Sequence, residues 1–291
     1  KVPAYDEATG KGLVRHVYVR VNRKGESLCC VVINGRQAPR EPELAAYVCA
    51  AVPHTAGVLV NSNTKRGNVI LGEKYRTLWG RDYLMDTLCG LEFKLSVPSF
   101  YQVNPDQAEV LYDRVLELAG LTGEQTVLDL YCGIGTISLV LARRAKLVYG
   151  AEVVRPAIED AVENARRNGV GNARFLCADA GEAALRLEAE GVRPDVICVD
   201  PPRKGLAPAV VDTIVRMAPR RVVYVSCDPG TLARDIARFR EQGWSVRRAL
   251  AVDMFPRTAH VETAVLLLPD AGPQGDGGEP YAGEPPCPAV R

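Results

Sequence analysis

The sequence predicts an α/β protein in which a Rossmann-like, doubly wound sheet fills most of the chain and a smaller α+β unit precedes it. Beyond Ser99, short apolar runs ending in Gly, Asp or Pro alternate with helical stretches, the rhythm of parallel strands joined by crossover helices. One of these runs enters the glycine-rich turn Cys132-Gly133-Ile134-Gly135 and leaves it as a helix. Before Ser99 the pattern is shorter and hairpin-like. The organisation expected is a small domain over 1–95, a sheet domain over 96–269 and a tail over 270–291.

In chain order, Val14 to Asn34 alternates apolar and polar residues around the turn Asn22-Arg23-Lys24-Gly25-Glu26, which reads as a β-hairpin. Pro42 to Val52 is a short helix with proline near its start. Strands are expected at Gly57–Asn61, Asn68–Leu71 and Leu91–Ser96. In the larger unit the expected strands are Thr126–Leu130, Leu147–Glu152, Ala173–Cys177, Asp195–Asp200, Arg221–Ser226, Ser245–Val252 and Val261–Leu268. Helices fall at Asp106–Ala119, Ile137–Arg144, Arg155–Asn168, Ala207–Met217 and Pro229–Glu241. No helical pattern separates the last two strands, so they are expected to pair antiparallel at one edge of the sheet. The tail holds 5 Gly and 5 Pro in 22 residues, too little apolar surface to offset its ordering entropy, and is expected to be disordered.

Composition excludes several classes. No window approaches the roughly 18 apolar residues of a membrane span, and Lys1-Val2-Pro3-Ala4-Tyr5-Asp6-Glu7 has no apolar core of a signal peptide. A soluble, cytoplasmic protein is expected, and a first residue other than Met suggests a piece of a longer chain. Nine cysteines occur without a single C-x-x-C pair, most of them inside apolar runs, which fits reduced thiols and no metal or iron–sulfur site. Residues 1–90 hold 13 Lys and Arg against 8 Asp and Glu, leaving 23 against 27 in the remainder. That basic first part suits a phosphate backbone or merely a solvated face. A monomer is expected, since no interface stripe stands out.

The chemistry concentrates in four motifs. In Val127-Leu128-Asp129-Leu130-Tyr131-Cys132-Gly133-Ile134-Gly135-Thr136, Gly133 and Gly135 allow close backbone approach to a nucleotide-like ligand. Glu152, closing the next strand, is placed to take both ribose hydroxyls. The third glycine of a dinucleotide fingerprint is missing, so S-adenosyl-L-methionine fits better than NAD; a tight turn without ligand is the alternative. Asp179 follows the third strand as an adenine contact or as a helix N-cap. Asp200-Pro201-Pro202-Arg203-Lys204-Gly205 follows the fourth strand at the ligand edge of the sheet and indicates a methyltransferase without naming the acceptor atom. Arg203 and Lys204 are phosphate ligands or a solvated pair.

Ser226-Cys227-Asp228-Pro229 puts a cysteine after the fifth strand and just before a helix, where the helix N-terminus favours thiolate. Cys132, Cys177 and Cys198 lack that setting and read as core residues. In His260-Val261-Glu262-Thr263, Glu262 would ordinarily be a water-facing edge residue, but beside a nucleophilic cysteine it is a candidate general base. His260 is a candidate for that role, a support to it, or a plain loop histidine.

These segments, with Ser99-Phe100-Tyr101-Gln102-Val103-Asn104 ahead of them, resemble in the same order the RumA/TrmA class of RNA uridine-5-methyltransferases, from about Phe93 to Leu268. The resemblance implies that Gln102, Tyr131, Thr136, Glu152, Asp179 and Asp200 surround S-adenosyl-L-methionine, that Cys227 is the nucleophile and that Glu262 is the base. Asp179 and Asp228 stand where Asn is common, and Thr136 occupies a variable position. Members carry an upstream TRAM RNA-binding domain, many with a four-cysteine iron–sulfur motif, and this chain is read as lacking both. The implied activity is methylation of carbon 5 of a uridine in RNA, 23S ribosomal RNA before transfer RNA. The rivals are a 5-methylcytosine RNA methyltransferase and an RNA-binding module with a vestigial cofactor fold.

Overall fold

The computed structural model of the protein describes residues 2–270. β1 (Val14–Val21) and β2 (Ser27–Ile33) form the expected antiparallel hairpin. The Asn22 side chain builds its turn, accepting from Lys24 N at 3.0 Å and Glu26 N at 2.9 Å. α1 (Glu41–Ala51) crosses over to β3 (Thr55–Ser62), parallel to β2, and β4 (Lys74–Gly80) completes a sheet of order β1-β2-β3-β4.

The strand expected at 68–71 does not form there. Asn63 Nδ2 donates to the Val69 and Ile70 carbonyls at 2.6 and 3.0 Å, and Asn61 Nδ2 donates to the Gly72 carbonyl at 2.9 Å. These carbonyls are held by side chains rather than by a neighbouring strand, and pairing resumes at Lys74. β5 (Tyr83–Leu88), absent from the sequence reading, pairs with β6 (Leu91–Ser96) as a separate two-stranded sheet.

α2 (Pro105–Ala119) starts with Asn104 accepting from Gln107 N at 3.3 Å and stops at Gly120 in the left-handed region, φ 59°, favourable caps at both ends. Then come β7 (Thr126–Leu130), α3 (Thr136–Ala142), β8 (Leu147–Glu152), α4 (Arg155–Arg167), β9 (Ala173–Cys177), α5 (Ala180–Ala189), β10 (Val196–Val199), α6 (Pro208–Met217), β11 (Arg221–Ser226), α7 (Pro229–Glu241), β12 (Trp244–Val252) and β13 (Glu262–Pro269). Seven strands form one sheet in the order β12-β13-β11-β10-β7-β8-β9, a Rossmann-like arrangement with β7 to β11 parallel.

Helices cover both faces of that sheet. Val127, Cys198, Val223 and Leu266 point into the cluster built with α2 and α3, while Leu128, Ile197, Val222 and Leu267 point into the cluster built with α5 and α6. Burial on both faces is why these strands read as unbroken apolar runs rather than alternating ones. The first cluster also takes in Leu28, Leu59, Phe93 and Leu95, so it is continuous across positions 95 and 96.

β13 runs antiparallel between β11 and β12. Its first residue therefore lies at the same sheet edge as the carboxyl ends of β7, β8, β10 and β11. The order reverses between β7 and β10, the crevice in which open α/β sheets bind ligands. Apart from Asp270, the tail expected to be disordered lies outside the described residues. Among the described residues no helix is long and apolar enough to cross a membrane.

Candidate active site

At the switch point a cleft is lined by Phe100, Tyr112, Tyr131, Cys132, Gly133, Ile134, Thr136, Ile137 and Asp200. The turn after β7 opens it. Tyr131, Gly133 and Gly135 all have positive φ, 69°, 56° and 84°, so the chain reverses sharply, with the Gly135 amide donating to the Cys132 carbonyl at 2.9 Å. A Cβ on Gly133 would meet nothing within 4 Å, whereas one on Gly135 would press on Phe175 and Ala161. Gly133 thus leaves room for a ligand, and Gly135 leaves room for helix packing. Tyr112 and Thr136 join hydroxyls at 3.1 Å, tying α2 to the start of α3.

Glu152 spans two turns: Oε2 accepts from Gly133 N at 3.3 Å and Oε1 from Val154 N at 2.9 Å. The structure brings Tyr131, Gly133, Thr136 and Asp200 onto the cleft wall. Gly135 lies one step behind, and Glu152 reaches the wall through Gly133. Gln102 is buried, two residues beyond Phe100. Asp179 is exposed and caps α5, with Oδ1 accepting from Gly181 N at 2.9 Å, so the capping half of its reading is what the geometry displays.

The sequence reading quoted Asp129 without giving it a role. Asp129 is fully buried, Oδ2 accepts from Ser138 Oγ at 2.5 Å, and Oδ1 has no partner. Burial pushes its carboxyl up to about 7 against the opposing effect of Ser138. The available signal was an acid inside an otherwise apolar central strand.

Asp200 is also pushed well above the carboxylate range, first by burial and then by the charges of Glu262 and Asp129. No Lys or Arg lines the cleft. An under-compensated group of acids beside this cleft is complementary to a cationic ligand and unfavourable for a pyrophosphate. The donor set therefore fits the sulfonium and ammonium of S-adenosyl-L-methionine better than a dinucleotide. Among the described residues no cluster of three His, Cys, Asp or Glu is arranged to hold a metal.

Cys227 follows β11 in a turn fixed by its neighbours. Ser226 Oγ accepts from Asp228 N at 3.1 Å and donates to the Asp228 carbonyl at 3.0 Å, and Asp228 caps α7 by accepting from Thr231 N at 2.9 Å. Ser226 pairs with Thr263 across the β11–β13 ladder, so one step outward Cys227 comes opposite Glu262.

Glu262 is 3% exposed, so the water-facing alternative to its reading as a base is excluded, and burial raises its carboxyl above the usual range. The expectation for Cys227 needs correcting. The Cys227 thiol is raised, not lowered: burial comes first, followed by the negative charges of Glu262 and Asp200, with Arg203 opposing them. Burial and these charges outweigh the helix N-terminus, whose capped amides already face Asp228.

His260 is exposed and stacks edge-on with Phe255, centroids 6.2 Å apart. Cys132 and Cys198 are buried as expected, but Cys177 is exposed because β9 is an edge strand.

A family model described as tRNA (uracil-5-)-methyltransferase matches residues 69–269. An uncharacterized RNA methyltransferase of Halalkalibacterium halodurans is 48% identical over 267 residues, covering 91% of this chain and 58% of that protein. One from Listeria monocytogenes is 44% identical over 264 residues, 90% of this chain and 58% of that protein. The chain thus spans under two thirds of the length of these curated relatives.

Among solved structures, the Pyrococcus abyssi tRNA (uracil-54, C5)-methyltransferase in complex with S-adenosyl-L-homocysteine superposes with TM-score 0.74 at 29% identity, over 92% of this chain and 63% of that one. The M. jannaschii tRNA m1G37 methyltransferase, TM-score 0.56 at 15% identity over 91% of this chain and 76% of that one, shares the fold.

Proposed function

This chain belongs to the tRNA (uracil-5-)-methyltransferase family, and we propose on that premise that it methylates carbon 5 of a uridine in RNA with S-adenosyl-L-methionine as methyl donor. The observation that carries the reading is Cys227 opposite Glu262 at the ligand edge of the sheet. In this reading Tyr131, Gly133, Gly135, Thr136, Glu152 and Asp200 hold the cofactor, with Gln102 and Asp179 at its margins. Bound there, the cofactor supplies an electrophilic methyl group on a cationic sulfur.

The residues of the chain do the rest. Carbon 5 of uracil is a weak nucleophile. The Cys227 thiolate adds to carbon 6, forming the C6–S bond and moving the ring electron pair to carbon 5, which then accepts the methyl group. Glu262, as carboxylate, removes the proton remaining on carbon 5; the electron pair returns to the ring, the C6–S bond breaks and the thiolate is released. Buried beside the thiol, Glu262 is screened from water that would level its basicity. Both ring faces must be reached, so the uridine leaves its stack, and loops or single strands are the suitable RNA.

We propose 23S ribosomal RNA as the substrate on the motif resemblance, with the basic residues of 1–95 contacting its backbone. Transfer RNA is the second reading, favoured by the likeness to the Pyrococcus abyssi enzyme. Intact mass after mixing the chain with S-adenosyl-L-methionine and 5-fluorouridine-substituted RNA tests both. Fluorine does not leave as a proton does, so a covalent protein–RNA adduct accumulates, and Cys227→Ala abolishes it. An adduct on ribosomal fragments alone supports the first substrate, and one on transfer RNA alone supports the second. Adduct formation that survives Cys227→Ala overturns the mechanism.

A further inference from the structure

α4 and the residue that caps it carry Asp160, Asn164 and Asn168, four positions apart on one helix face, and none of them has a part in the chemistry above. That face lies along β6, which pairs only with β5 and leaves its other edge without a strand. Asn168 Oδ1 accepts from Glu92 N at 2.8 Å, and its Nδ2 donates to the Glu92 carbonyl at 2.7 Å. Asn164 Oδ1 accepts from Lys94 N at 2.7 Å. Asp160 Oδ2 accepts from the hydroxyls of Ser96 and Ser99 at 3.0 and 2.9 Å. Helix side chains thus give the open edge of β6 what an antiparallel strand would. The spacing permits it, because four residues of helix rise about 6 Å and two of strand about 6.8 Å.

Asn164 does more than its neighbours in this row. It is fully buried, and its Nδ2 donates to the Ile134 carbonyl at 3.2 Å. Ile134 sits between Gly133 and Gly135 and lines the cleft. The two partners fix which way the amide points: the Lys94 amide requires an acceptor and the Ile134 carbonyl a donor. An ionised Asp would offer no donor there, and a Leu neither group. From Ser96, at the end of β6, four residues lead to Phe100, which also lines the cleft.

We propose that Asn164 is a positioning residue for the cofactor, tying the Cys132–Gly135 turn to β6 so that the cleft is formed before its ligand arrives. The inference deepens the S-adenosyl-L-methionine reading of the cleft and rests on it. A ligand that requires one conformation of the turn loses affinity in proportion to the fraction of molecules that no longer hold it. Freeing the turn therefore weakens binding without removing any group from the cleft wall.

The first arm of the test needs no ligand: hydrogen exchange at the Cys132, Gly133 and Gly135 amides, each of which has an acceptor in the fold. Asn164→Ala, and Asn164→Asp, which keeps an acceptor for Lys94, are expected to speed that exchange about tenfold. Asn168→Ala, which removes the adjacent contact to β6 and leaves the Ile134 bond in place, is expected to leave it unchanged. The second arm is calorimetric titration with S-adenosyl-L-homocysteine. Affinity should fall about three- to thirtyfold in both Asn164 variants and stay within about twofold of wild type in Asn168→Ala.

Unchanged turn exchange or wild-type affinity in folded Asn164 variants overturns the proposal, as does an Asn168→Ala variant that loses as much affinity as Asn164→Ala. A wild-type chain that does not bind S-adenosyl-L-homocysteine overturns the reading of the cleft instead, and turn exchange then decides on Asn164 by itself. If neither Asn164 variant folds, the wild-type chain decides. The ligand should slow exchange of the Lys94 amide, which lies outside the cleft lining, more than that of the Glu92 amide, and equal slowing overturns the proposal.

Discussion

Cys227 and Glu262 each lie one position past the Ser226–Thr263 pair that ends an antiparallel ladder. The thiol is raised in part by that carboxylate, so the two groups share one electrostatic environment although 34 residues of chain separate them. Because β13 reverses direction relative to its neighbour β11, the first residue of the last strand meets the end of the fifth parallel one. From this juxtaposition the proposed roles of nucleophile and base separate experimentally.

Glu262→Gln is expected to leave addition to carbon 6 possible and to stall the release step. Covalent protein–RNA adduct should accumulate with ordinary uridine RNA, and turnover should fall by about a hundredfold to ten-thousandfold. Denaturing gels of adduct beside methyl-transfer rates check this. Loss of turnover with no adduct would place Glu262 in addition rather than in release.

Asp129 predicts a pH-dependent stability. Its carboxyl is near 3.8 when unfolded and raised to about 7 in the fold, so the folded state binds the extra proton between those values. The stability this gives is fully present below pH 3.8 and lost as pH rises through about 7. Asp129→Asn removes that slope, so its melting temperature should gain on wild type progressively between pH 4 and 8. Thermal melts at matched ionic strength read the difference; parallel curves for the two proteins would contradict a raised Asp129.

Gly150→Ala tests the packing behind the cleft. The added Cβ would lie 2.7 Å from Phe175 and 2.9 Å from Ser138 Oγ, contacts that force Ser138 away from Asp129. A loss of about 1–3 kcal/mol is expected, measurable by urea denaturation. Gly133→Ala, where the built Cβ meets nothing, should cost less stability even though its φ is 56°.

Glu152→Ala should weaken S-adenosyl-L-homocysteine binding by about tenfold to a hundredfold, the loss expected for charge-assisted hydrogen bonds. Glu152 also holds the Gly133 and Val154 amides, so the turn is expected to loosen in the absence of ligand. Calorimetric titration gives the affinity, and hydrogen exchange at residues 131–136 gives the loosening.

The sequence by itself determined the strand–helix alternation, the glycine turn after β7, the edge hairpin of β12 and β13, and the pairing of motif with element at Glu152, Asp200, Cys227 and Glu262. These are local matters: apolar runs, caps such as Asn104 and Asp228, and glycines at positive φ are written within a few residues of where they act. It misplaced the strand after Asn63 because side-chain bonds to carbonyls compete with a ladder, and periodicity does not report that competition. It passed over β5 for want of a clear turn signal.

What only the tertiary structure decided is the electrostatics. The burial of Glu262, the raised Cys227 thiol, the unpaired oxygen of Asp129 and the bonding of Asp235 to the loop after β10 all depend on which distant segments exclude water from a charged group and which bring another charge close. Solvation and Coulomb energies follow distance in space, and the order of residues along a chain does not specify that distance until the sheet has closed.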